Sequence, residues 1–159
     1  MDRLGLITLQ AEMREDLRYA IEASRLASER LQLDNEVGLE SSAFQLVRFF
    51  NVIEQMGQRV VKSFENHIED RQSWHAELIR RLSIRVPGVR PALYPAEMLP
   101  ALQSLRGFRH VVTHAYDLSL DRDQQTLVVR QAEMVTRLLP QRVEVFIAEI
   151  AQEQGWQLA

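Results

Sequence analysis

Apolar residues along this chain recur at steps of three and four, the period of one face of an α-helix. Leu6, Leu9, Met13, Leu17, Ala20, Ala27 and Leu31 form a first stripe and predict a long opening helix. Asp34, Asn35 and Gly38, in "LQLDNEVGLESS", interrupt it as a turn. Ala43, Leu46, Val47, Phe50, Ile53, Val60, Val61 and Phe64 give a second long stripe. After "ENHIEDRQS", Trp74, Leu78 and Leu82 predict a shorter third helix, with Trp74 as a core anchor. Pro87, Gly88 and Pro91 in "RVPGVRPALYP" predict a loop, because proline lacks a backbone donor and restricts the residue before it.

A fourth helix is expected to open near Pro95, to become fully helical only around Pro100, and to end at "DLSLD". Leu102, Leu105, Phe108 and Val112 are its apolar face. The last helix is expected from Arg122 to Gln152, through Leu127, Val128, Val135, Leu138, Val145, Phe146 and Ile150, with a kink at Pro140. No segment alternates like a strand, and no repeat or low-complexity tract appears. The pattern predicts an all-α, antiparallel helical bundle of four long helices plus a shorter one, forming a single domain over residues 1–159.

Composition agrees with a folded domain. The chain has 159 residues, 46% of them hydrophobic, enough for a sizeable core. Cysteine is absent, which excludes disulfides, thiolate nucleophiles and zinc-finger ligands and is compatible with the cytosol. No apolar run reaches the roughly 18 residues of a membrane span. The first turns carry acids and no continuous apolar segment, so no secretory signal is expected. A cytoplasmic protein is the expectation.

Net charge is −3, which by itself argues against a nucleic-acid binder. Its distribution changes the picture. Residues 1–79 carry 9 basic and 14 acidic side chains, and residues 115–159 carry 4 and 7. Between them, Arg80, Arg81, Arg85, Arg90, Arg106 and Arg109 face one acid, Glu97, a local balance of +5. Such a field attracts phosphates if the arginines share a surface, and does nothing if they point in several directions.

Most familiar chemistries are missing. His67–Glu69 and His75–Glu77 are i, i+2 pairs, which diverge on a helix, and no Glu-x-x-His pair exists, so no metal site is expected. There is no glycine-rich phosphate loop and no Gly-x-Ser-x-Gly elbow, and no cofactor is implied.

What remains is "GFRHVVTHAYDLSLD", which gathers Arg109, His110, His114 and Tyr116 at the end of the fourth helix. Arginine can grip a phosphate or a phosphoryl transition state, and histidine can take or give a proton near neutral pH. Together they suffice for metal-free RNA cleavage. Yet five residues of helix turn Arg109 and His114 apart by about 140°. A distorted helix end or a second copy would be needed to bring them together. The other reading is a decorated helix end, with the histidines on the last carbonyls and Tyr116 capping the core. Spacing leaves both open.

The segment "RHVVTHAY", flanked as "LRGFRHVVTHAYDLSLD", resembles the Arg-x4-His-x-Tyr motif of the HepT-like toxins within the HEPN superfamily of helical ribonucleases. The resemblance implies a HEPN-like homodimer whose paired motifs line a cleft for RNA, tRNA being one candidate. It implies Arg109 and His114 as the catalytic pair, with Arg106 and His110 beside them as phosphate or RNA contacts. His110 stands where asparagine is more usual. Tyr116 matches the tyrosine that family antitoxins, minimal nucleotidyltransferases, modify with AMP; the added charge and bulk would block the cleft. A second reading is a non-catalytic HEPN subunit that holds nucleotide or nucleic acid for a partner nucleotidyltransferase.

Overall fold

The computed structural model describes residues 1–65 and 74–157, with the backbone alone at 74–76. The His67–Glu69 pair, the side chain of His75 and the expected anchor Trp74 lie outside the described side chains. Among the described residues five α-helices follow in order: α1 Arg3–Leu31, α2 Glu36–Phe64, α3 Trp74–Leu82, α4 Leu99–His114 and α5 Arg122–Glu153. The fold is an all-α helical bundle.

Local chemistry sets the helix ends. Asp2, Asn35 and Asp121 each accept a hydrogen bond from a backbone N–H three residues on, the side-chain N-cap that satisfies an orphan donor. Pro95 precedes one 3₁₀ turn, Ala96–Met98, before α4 proper begins with Pro100 in its first turn, as the sequence predicts. At the other end of α1, the Arg122 guanidinium donates to the carbonyls of Leu31 and Leu33 at 2.5 and 3.0 Å. Gly38 is not part of the turn but of α2. A Cβ there would meet the Arg30 carbonyl oxygen and the Leu33 Cβ at 2.6 Å, so glycine lets the two helix ends meet.

Helix α2 is the centre of the bundle and packs against the other four. Near the turn Ser42 bonds the Ala27 carbonyl, while further along Arg59 meets Asp16 and Glu12, so α1 and α2 run antiparallel. The first stripe is buried as expected, and so is the second apart from half-buried Val47 and Phe64; Phe49 joins them. The stripe of α5 is partly different. Leu127 is exposed and Leu138 only half-buried, whereas Val129, Ala132, Leu139, Val143 and Ile147 face the core. The α5 core is a two-sided face, because α1 and α4 both pack on it. Helix α5 is continuous through Pro140.

The segment from Ser83 to Pro95 is a packed strap. Pro87 and Gly88 (φ 73°) form the corner of a turn closed by Val89 N–H to Val86 C=O at 3.0 Å, the type II pattern. Arg90 is fully buried and donates to Glu65 at 2.7 and 2.9 Å and to the carbonyls of Ile84 and Arg81. Tyr94 is buried too, and its hydroxyl donates to the Ile53 carbonyl at 3.1 Å. Burial, reinforced by the negative charges of Glu54 and Asp16, pushes this phenol well above its ordinary pKa.

Candidate functional site at the end of α4

Helix α4 stops where its sequence turns β-branched. The Thr113 hydroxyl bonds the Arg109 carbonyl at 2.8 Å, and Ala115 leaves helical geometry with ψ 124°. The six residues 115–120 then lead to the Asp121 cap of α5.

His114 folds back on this last turn. Its Nδ1 lies 3.0 Å from the His110 carbonyl oxygen and 2.8 Å from the Thr113 hydroxyl oxygen. A carbonyl can only accept, so in the tautomer with the proton on Nδ1 that nitrogen donates to it, and Nε2, on an exposed ring, is the free acceptor. The rings of His110 and His114 stack, with centroids 4.5 Å apart at 23°. His110 therefore contributes a carbonyl that orients His114 and a ring that packs on it.

Arg109 turns the other way, onto α2. Its Nη1 donates to Asn51 Oδ1 at 3.2 Å and to Glu54 Oε2 at 3.1 Å, and the guanidinium sits 5.1 Å from the centre of the Phe50 ring. Its Nε is buried without a partner, and Nη2 bonds no protein group among the described residues. Arg109 and His114 thus diverge, as the helical spacing requires, and their side chains do not bond each other. The link between them is the backbone, through Thr113. Arg106 bonds Gln103 at 2.9 Å along its own helix. Tyr116 is fully exposed, so it caps no part of the core. The decorated-end reading is right about His114 on a carbonyl and wrong about Tyr116.

The six arginines do not form one positive surface. Arg80 pairs with Glu77, Arg81 and Arg90 with Glu65, Arg85 with Glu149 and Glu153, and Arg109 with Glu54. Among the described residues only Arg106 of the six lacks a carboxylate partner. The local excess in the sequence is cancelled by acids from α2, α3 and α5.

Asn51 and Glu54 are the site residues that periodicity passes over. Glu54 had a signal: it sits inside the apolar stripe, between Phe50 and Val60, and is buried. Asn51 had none. Beside the end of α4 lie two apolar grooves. One of ≈ 600 Å³ runs along Leu39, Phe44, Val47, Val112 and Leu118, and a second of ≈ 390 Å³ runs along Phe108, Val111, Leu120 and Leu127. No group of three metal-ligating side chains occurs among the described residues, and no described helix is long and apolar enough to cross a membrane.

The all-α bundle, with the Arg-x4-His-x-Tyr run at the end of α4, agrees with the fold that the sequence resemblance implies. The profile of the family described as HepT-like protein matches residues 41–150, from the first turns of α2 through the motif to the last turns of α5. The chain belongs to this HepT-like family of the HEPN superfamily. No curated protein and no solved structure matches it.

Proposed function

We propose that this chain is the toxin of a toxin–antitoxin pair and a metal-independent endoribonuclease of the cytoplasm. A ribose 2′-oxygen attacks the adjacent phosphorus while His114 Nε2 takes its proton. The bond to the 5′-oxygen then breaks, and that oxygen leaves with a proton from an acid, leaving a 2′,3′-cyclic phosphate and a 5′-hydroxyl. Arg109 offers Nη2 to the charge that builds on the phosphorane. Because Arg109 and His114 diverge on one helix, the reading includes a homodimer in which the arginine of one copy serves the histidine of the other. The apolar groove bordered by Val112 and Thr113 is the surface for that pairing. The observation that carries the proposal is the His114 ring held by its Nδ1 against the His110 carbonyl and otherwise exposed, within the span that the family profile matches.

The antitoxin is a minimal nucleotidyltransferase that joins AMP from ATP to the Tyr116 hydroxyl, releasing pyrophosphate. Full exposure of Tyr116 supports this. The test is cleavage of RNA by the purified dimer in EDTA. Arg109→Ala is expected to lower the rate by about 10²–10³, and His114→Ala by about 10²–10⁴. Cleavage that survives both substitutions overturns the site. Intact mass after incubation with nucleotidyltransferase and ATP should rise by AMP units in wild type and not in Tyr116→Phe.

One observation favours the non-catalytic reading. The ion pair of Arg109 with Glu54 already neutralises much of its charge. On that reading the protein retains RNA or nucleotide and never turns it over, which the same assay distinguishes.

A further inference from the structure

Beside Arg109, α2 carries a second, polar groove of ≈ 340 Å³, lined by Asn51, Glu54, Gln55, Gln58, Arg59 and Lys62. Asn51, Gln55, Gln58 and Lys62 follow each other at four, three and four residues, so they share one helix face. At 1.5 Å per residue this stripe is about 16 Å long. Asn51 touches the Arg109 guanidinium, so the groove begins at the candidate site.

Its charges are close to balanced. Arg59 is held by Asp16 at 2.9 Å and Glu12 at 3.1 Å, and Glu54 meets Arg109. Lys62, at the far end, is exposed and pairs with no acid among the described residues. Gln55 and Gln58 likewise make no hydrogen bond to the protein there. A phosphate chain needs a strongly positive track, which this lining does not supply. A side-chain amide instead sets an acceptor beside two donors, the complement of a nucleobase edge, and it matches adenine at N6 and N7 in a bidentate way. Bases splayed from a single strand are read on such edges.

We propose that the α2 groove is a base-reading subsite for single-stranded RNA. Gln55 and Gln58 bond the edge of a base next to the phosphate gripped by Arg109, with adenine preferred, and Lys62 takes a phosphate further along. The proposal rests on the nuclease reading above.

The experiment maps cut sites in a randomised single-stranded RNA for wild type, Gln55→Ala/Gln58→Ala and Lys62→Ala. Wild type is expected to enrich adenine at a fixed offset from the cut. The double variant should lose that enrichment by about tenfold, in the range of a bidentate base contact, and raise KM with kcat nearly unchanged. Lys62→Ala should raise KM without changing base preference. Gln58→Glu, which keeps size and helix-forming tendency, should repeat the loss of preference if folding of the double variant is disturbed. In a second arm, the His114→Ala protein is titrated with oligoadenylate and oligouridylate, and the glutamine substitutions should erase the preference for oligoadenylate. An unchanged preference and KM overturn the subsite while the nuclease reading stands. A change in oligomeric mass in place of base preference makes the stripe a protein interface and also overturns it. If wild type neither binds nor cuts RNA, the nuclease reading falls and the subsite falls with it.

Discussion

At the scale of single residues, the His114 ring is held by an atom that no substitution of its neighbour's side chain removes. The His110 carbonyl meets its Nδ1, and the His110 ring stacks on it. On the proposed nuclease reading, His110→Ala is therefore expected to slow RNA cleavage by less than about tenfold, against about 10²–10⁴ for His114→Ala. Initial rates of the two variants on one RNA check this. Equal loss in both would give the His110 ring a direct role. His110→Asn would keep the same carbonyl, and with it the contact to His114 Nδ1.

At the scale of helices, two glycines carry opposite meanings. Gly38 lies in the first turn of α2, where a Cβ would press into the end of α1 at 2.6 Å. Gly107 lies inside α4, and a Cβ there meets nothing within 4 Å. Gly38→Ala is expected to destabilise by about 1–3 kcal/mol through overpacking. Gly107→Ala is expected to stabilise by about 0.5–1 kcal/mol, because alanine loses less freedom on entering a helix. Urea denaturation of both variants reads the opposite signs. Two destabilised variants would mean that the groove beside Gly107 closes in solution.

At the scale of the whole molecule, α1 lies outside the matched family span, yet its Leu6, Leu9 and Met13 are fully buried and it packs on α2 and α5. The strap from Ser83 to Pro95 is tied in by Arg90, whose buried guanidinium answers Glu65 and two carbonyls. Arg90→Leu leaves those groups short of a donor. It is expected to cost about 3 kcal/mol, read as a lower denaturation midpoint, with RNA affinity of the folded protein unchanged. A matching drop in affinity at a temperature where the variant is folded would place Arg90 in the RNA site.

Sequence alone determined the helices, the turn positions and the location of the Arg109–His114–Tyr116 run, because all three depend on residues within a few turns of one another. The 140° divergence of Arg109 and His114 followed from the same local geometry. The fate of the arginines did not. Apart from Arg80, whose partner Glu77 is three residues away, they pair with distant residues, Arg85 with Glu149, Arg90 with Glu65, Arg109 with Glu54, and no short window of sequence holds both ends. For the same reason the exposed side of α5, with Leu127 on it, and the amide row of α2 beside Arg109 became visible only in three dimensions. A helix's own period says which residues share a face; only the packed neighbours decide which face is inside and which charges remain to meet a ligand.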